Sequence, residues 1–149
     1  MKKKTLLSIV AAGMVAVTLL AGCGKKGPKD GTYKAEAKDF DDKGWKPFVE
    51  VTYKDGKISD AKFDYSNKAD GHLKSGDQAY ITAMSAKSPT SPDKYTKELA
   101  SALVDKQDIA KVDSVTGATH SSDNFKALVK AAVDNATNGK TDTATVEIK

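Results

Sequence analysis

The chain has 149 residues, 24 basic against 20 acidic, a net charge of +4 and one cysteine, Cys23. A single cysteine excludes an intramolecular disulfide and any cysteine-held zinc or iron–sulfur centre, so the folded part must rest on a packed core. Lys2, Lys3 and Lys4 supply three of the positive charges; without them the balance falls from +4 to +1, too even for a nucleic-acid-binding surface.

After Lys4 no charged residue occurs from Thr5 to Gly24, and the run closes on Leu20-Ala21-Gly22-Cys23. About 20 apolar residues could span a bilayer. The small residues before one cysteine favour cleavage, so the pattern reads as a lipoprotein signal peptide with Cys23 as the lipidated first residue of the mature chain. Two or three acyl chains on Cys23 give stable anchoring to the outer face of a cell membrane. This divides the chain into a signal peptide over 1–22, a lipidated cysteine and polar tether over 23–30, and one domain over 31–149.

From Asp30 the pattern changes to short alternating runs. Tyr33, Ala35 and Ala37 predict a first strand, and Val49, Val51 and Tyr53 a second. Asp55-Gly56 marks a tight turn, and Ile58, Ala61, Phe63 and Tyr65 fit the returning strand of a hairpin, with a bulge near Ser59-Asp60 restoring the alternation. Residues 67–76 read as a polar loop, and Asp77 to Ser85 as a short helix carrying Tyr80, Ile81 and Met84 inward. A second loop, Lys87 to Pro92, ends where Ser91 caps a helix with Pro92 at its first position and Tyr95, Leu99, Ala102 and Leu103 along one face. Val112 and Val115 form a short extended approach to a third helix, and Ala144, Val146 and Ile148 alternate as a last strand. The order implies an α+β fold, a mainly antiparallel sheet with helices packed against it.

The third helix carries the most chemistry. Phe125, Leu128, Val129, Ala132, Val133 and Ala136 recur at helical spacing, and Gly139 offers a stop. Ahead of them, Asp113-Ser114-Val115-Thr116-Gly117-Ala118-Thr119-His120-Ser121-Ser122 is a hydroxyl-rich turn. Ser121 or Ser122 is the expected N-cap, with Asp123 in the first turn, so that N–H groups and the positive dipole end face the turn and welcome an anion. Ser, Thr and Gly also occupy ordinary turn and cap positions here, so from local sequence alone a plain turn stays open beside a phosphate site.

The stretch Asp-Ser-Val-Thr-Gly-Ala-Thr resembles the flavinylation motif of FMN-binding domains in exported bacterial electron-transfer proteins. The likeness continues through Gly44-Trp45-Lys46-Pro47, Tyr80, Lys87-Ser88, Ser91-Pro92 and Tyr95, over roughly Asp30 to Ala136, and is to single-domain lipoprotein members. It implies that a flavin transferase joins the phosphate of FMN, taken from FAD, to the hydroxyl of Thr119. It also makes Asp113, Thr116, Gly117 and Ala118 cofactor-binding residues. Gly117 removes a Cβ where backbone and phosphate approach, and is free to take φ > 0. Ala118 keeps the turn small, Thr116 bonds a phosphate oxygen or braces the turn, and Asp113 positions the motif or helps hold the transferase's metal.

Other residues carry less. Trp45 either covers the flavin or closes the sheet core, Lys87 and Ser88 lie in a loop within reach of the cofactor or in solvent, and the tyrosines read as core or rim. His72 and His120 lack metal-ligand spacing, Asp39, Asp41 and Asp42 read as a solvated cluster, and no Gly-x-Ser-x-Gly elbow occurs. The expected protein is an extracytoplasmic, lipid-anchored flavoprotein that shuttles electrons between a membrane donor and an external acceptor rather than converting a substrate. Two alternatives are a non-redox ligand-binding lipoprotein and a lipoprotein whose signal peptide is released as a pheromone.

Overall fold

The structure, a computed structural model, describes residues 27–148; Cys23 and the apolar N-terminal run lie outside the described residues. Strands β1 (Gly31–Ala37), β2 (Trp45–Lys54) and β3 (Lys57–Asn67) form an antiparallel meander. β4 (Ala144–Val146) joins β1 in parallel, which gives the order β3-β2-β1-β4. Helices α1 (Gln78–Ser85), α2 (Pro92–Lys106) and α3 (Thr119–Asn138) complete the expected α+β fold.

Period-two patterning decides which sheet face is covered. Tyr33, Ala35, Val49, Val51, Phe63 and Tyr65 are buried together with Tyr95, Leu99 and Leu103 of α2 and Phe125, Leu128 and Val129 of α3. The Phe125 and Phe63 rings lie 5.1 Å apart, tying α3 to β3. On the opposite face Phe48 is sheltered by Lys34 and Lys62, whose ammonium groups stand 5.3 and 5.5 Å from its ring centre, their stems covering apolar surface while the heads stay wet.

The hairpin turns as expected at Asp55 (φ +52°) and Gly56 (φ +74°), the pair of left-handed residues whose twist matches the flanking strands. Thr52 faces Asp60 and Tyr53 faces Ile58, so Ser59 is the extra residue of a bulge. β1 pairs with β2 only as far as Phe48, which leaves Pro47, with no N–H to donate, beyond that ladder.

α2 stops at Gln107 (φ +60°), whose side chain accepts from the Ile58 N–H at 2.8 Å and donates to the Ile58 carbonyl at 2.7 Å. This clamp holds the helix end to β3. Gln107→Ala strips both partners from a partly buried peptide group and is expected to destabilise the fold by about 1–3 kcal/mol, read as a lower denaturant midpoint at constant slope; an unchanged midpoint would show the clamp to be idle. α3 ends at Gly139 (φ +64°), with the Lys140 N–H reaching back to the Asn135 carbonyl at 2.9 Å.

Three expectations change. Tyr80, Ile81 and Met84 of α1 are half-buried rather than core, because α1 walls a cavity instead of lying flat on the sheet. The last strand ends at Val146, and Ile148 lies at the same cavity. Ser91 holds the N-cap position of α2, yet its hydroxyl bonds the Asp93 carboxylate at 2.5 Å rather than a backbone N–H.

Candidate functional site

The motif folds into a turn that delivers Thr119 to the start of α3. The Ala118 N–H donates to the Val115 carbonyl at 2.9 Å, with Gly117 at φ +85°, the left-handed value that a type II turn requires at its third residue. A Cβ on Gly117 would run into Ser88 Oγ and come within 2.8 Å of Pro89 Cδ. Ser88 also donates from its hydroxyl to the Gly117 carbonyl at 3.1 Å. The crowding that demands glycine therefore comes from the Ser88-Pro89 loop.

Ala118, not Ser121 or Ser122, is the N-cap of α3, and Asp123 lies past the first turn. Ser122 is buried inside the helix; its hydroxyl donates to the Ala118 carbonyl at 2.8 Å and accepts from the Val115 N–H at 3.0 Å. Those bonds staple the turn and use the side chain that local sequence marks as a cap. The consequence is chemical, since no side chain caps this end and the first N–H groups of a helix have no acceptor within it. The N-terminus stays ready for an anion, with the Thr119 hydroxyl on its first residue.

Thr119 lines a cavity of about 1010 Å³ between the helix start, the β2–β3 end of the sheet and α1, at the upper end of the range for small-molecule sites. Gly117, Ala118, His120 and Ser121 share its wall with Trp45, Tyr65, Tyr80 and Tyr95. Asp113 and Thr116 do not line it. Asp113 projects from the surface with 96% of its side chain exposed, 3.9 Å from Lys106. A second cavity, about 490 Å³ between β3 and α2, contains no residue of the motif.

Aromatic side chains shape the walls. Trp45 is buried, its ring edge-to-face with His72 at 5.1 Å and Tyr80 at 6.1 Å, so it both closes the sheet core and lines the cavity. Tyr65 donates from its phenol to Ser121 Oγ at 3.0 Å and accepts from Asn124 Nδ2 at 3.3 Å. Burial pushes the Tyr65 phenol, and more strongly that of Tyr95, above the ordinary tyrosine value, so both stay neutral donors at physiological pH.

Two residues escaped the sequence reading. Asn124 interrupts the apolar stripe beside Phe125, the one signal that it is buried for a polar purpose. Lys74 sits in a short 3₁₀ turn (Lys74–Gly76) and is buried, its ammonium 4.2 Å from the Tyr80 ring centre, 4.4 Å from that of Tyr65 and 5.4 Å from that of Trp45. Nothing in Leu73-Lys74-Ser75-Gly76 distinguishes it from a solvated loop lysine.

The acidic segment before β2 is structural at Asp41, whose carboxylate accepts from the Lys43 and Trp45 N–H groups at 2.9 and 2.8 Å. A second clamp holds Trp45 from the other side: His72 bonds Asp70 through Nδ1 and Asp77 through Nε2, the latter at 3.2 Å. The bond to Asp70, then that to Asp77, raises the His72 pKa above its ordinary 6.5. Hydrogen bonds from the Asp70 and Asp77 surroundings, His72 among them, lower both carboxyls from 3.8. The imidazolium contribution is thus complete below about pH 6.5 and lost as pH rises through the raised value, whereas the carboxylate contribution is lost as pH falls below about 3.8. The melting-temperature difference between wild type and His72→Gln is expected to peak between those limits and shrink above neutrality; a difference flat in pH would remove the charged clamp.

A helix N-terminus left uncapped, a hydroxyl on its first residue and an aromatic cavity beside it suit a planar heterocycle carrying a phosphate. Residues 44–134 match the family model described as "FMN-binding domain". The chain belongs to the FMN-binding domain family. Its cofactor is FMN. Among relatives, the "15 kDa lipoprotein" of Treponema pallidum (strain Nichols) is 43% identical over 122 residues, which span 82% of this chain and 86% of that protein. The crystal structure of the CPE2226 protein from Clostridium perfringens superposes with a TM-score of 0.78 at 36% identity, covering 82% of this chain and 99% of that one. The matched span of 44–134 includes the turn, the open start of α3 and Trp45, Tyr65, Tyr80 and Tyr95 of the cavity wall. No helix among the described residues is long and apolar enough to cross a membrane.

Proposed function

We propose that this FMN-binding domain is an extracytoplasmic, lipid-anchored electron carrier whose FMN is esterified to Thr119. The observation that carries the reading is the Thr119 hydroxyl on the first residue of an uncapped helix, at the wall of a cavity wide enough for the ring. Flavin transferase would present FAD there: the Thr119 oxygen loses its proton and forms the new bond to the FMN phosphorus, the pyrophosphate bond breaks, and AMP leaves. The uncapped N–H groups at the start of α3 would hold the phosphodiester, which keeps one negative charge.

The exposure of Asp113 suits a residue met by the transferase rather than by the bound cofactor. When bound, FMN supplies the redox chemistry; the chain holds the phosphate, packs aromatic rings around the heterocycle and keeps water away from it. Lipidation at Cys23 would confine the carrier to the membrane surface, where the 43% identical relative is itself named a lipoprotein. The tether is short, since the Lys29 N–H already bonds the Ala136 carbonyl of α3 at 3.2 Å. An outward-facing membrane donor and an external acceptor complete the path.

Membrane fractions from cells expressing the full chain with a flavin transferase test this reading. Flavin absorption that bleaches on addition of a respiratory reductant and returns with a soluble oxidant is the expected result. Flavin that stays oxidised until dithionite is added would contradict the carrier role.

A further inference from the structure

Lys74 has no role in the function so far described. It is 6% exposed and lines the same cavity as Thr119, and its ammonium group makes no hydrogen bond or ion pair with any described residue. The ammonium stands over the rings of Tyr80, Tyr65 and Trp45. Its nitrogen is not an enclosed, unpartnered atom: it keeps accessible surface at the cavity wall, and ring faces replace only part of its hydration, a poor arrangement for a purely structural lysine.

The nearby carboxylate is already engaged. Asp64, also buried, accepts from the Tyr65 N–H at 2.8 Å, from the Ser75 N–H at 3.2 Å and from Ser75 Oγ at 2.5 Å. These bonds fix the turn that bears Lys74 and leave its ammonium turned toward the cavity rather than toward Asp64. Asp39, Asp41, Asp42 and Glu147 also line the cavity, yet none of them forms an ion pair with Lys74, so the ammonium is left to a ligand that carries, or acquires, negative charge there.

We propose that Lys74 sets the reduction potential of the flavin by holding the negative charge that the ring gains on reduction. The inference rests on the FMN reading above. Two electrons and one proton, the proton going to N5, convert the neutral oxidised ring to an anion whose charge is spread over N1 and the C2 carbonyl. The electrons come from whatever reductant feeds the carrier, dithionite in the assay. With the ring in this cavity, the Lys74 ammonium on its wall would favour the reduced form over the oxidised one, so the flavin would be more readily reduced with Lys74 present than without it.

The full chain, flavinylated in cells and purified from membranes in detergent, gives two readouts. Lys74→Met is expected to weaken the preference for the reduced state at least tenfold, which is about 30 mV toward more negative potential for a two-electron couple; Lys74→Arg should stay near wild type. Sulfite provides a second readout, since its lone pair bonds N5 and pushes the same negative charge onto N1 and the C2 carbonyl without any electron donor. The sulfite Kd of wild type is expected to lie at least tenfold below that of free FMN and to rise tenfold in Lys74→Met.

Unchanged potential and sulfite affinity in flavinylated Lys74→Met would overturn the assignment. Loss of flavin in Lys74→Met but not in Lys74→Arg would also overturn it, and would place the lysine on the phosphate. A wild-type sulfite Kd no lower than that of free FMN overturns it however the variant folds. A wild type without flavin strikes the FMN reading itself, a separate failure.

Discussion

Thr119→Ala is expected to carry no covalent FMN while keeping its fold. Thr119 is exposed at the first position of α3, and its side chain caps nothing and fills no core space. Alanine there should change stability by no more than about 0.5 kcal/mol. The acceptor oxygen, in contrast, is removed outright. Intact mass and visible absorption should show a colourless, unmodified chain with a wild-type thermal melt, and Thr119→Ser, which restores a hydroxyl at the same helix position, should regain colour. Covalent flavin on the alanine variant would move the acceptor to another hydroxyl, Thr116, Ser121 and Ser122 being the nearest in sequence.

Gly117→Val is expected to damage both fold and cofactor loading. A left-handed backbone costs a β-branched residue about 1–2 kcal/mol, and a side chain forced into the Ser88-Pro89 loop adds about 1–3 kcal/mol of overpacking. Relief requires the turn or the loop to move, and either motion breaks the bond from Ser88 to the Gly117 carbonyl and shifts Thr119 relative to the cavity. The expected result is destabilisation of about 2–5 kcal/mol, with flavinylation reduced even at temperatures where the chain is folded. Gly117→Val combined with Ser88→Ala and Pro89→Ala should recover part of the stability by relieving the collision. A single variant as stable as wild type would show that the loop is free to retreat.

The elements were legible because each follows one dominant periodicity. Alternation in Tyr33-Ala35-Ala37 and Val49-Val51-Tyr53, the Asp55-Gly56 turn and the broken spacing at Ser59 suffice for the hairpin and its bulge. Helical spacing from Phe125 to Ala136 suffices for α3. The helix start was not legible, since Thr119, Ser121 and Ser122 are all good caps by residue type and Ala118 a poor one. What decides is that Ser122 spends its hydroxyl on the turn behind it, a contact between residues seven apart that only the folded turn creates.

The site divides in the same way. Thr119, Ala118 and Gly117 could be named from the motif, and the structure places all three on the cavity wall. Lys74 could not, because its burial is produced by Trp45, Tyr65 and Tyr80, which lie on two strands and a helix and meet only in three dimensions. α1 was readable as a helix, yet its weakly amphipathic sequence does not say that its inward residues face a cavity.

The carrier reading depends on one covalent bond, from Thr119 to the FMN phosphate, which peptide mapping of the wild-type chain would reveal. The full chain made with a flavin transferase should yield, after proteolysis and tandem mass spectrometry, a single yellow peptide spanning residues 112–126, with the phosphoryl-riboflavin mass on Thr119. The same peptide recovered quantitatively without that mass, or flavin released intact by denaturation, would rule out the Thr119 ester.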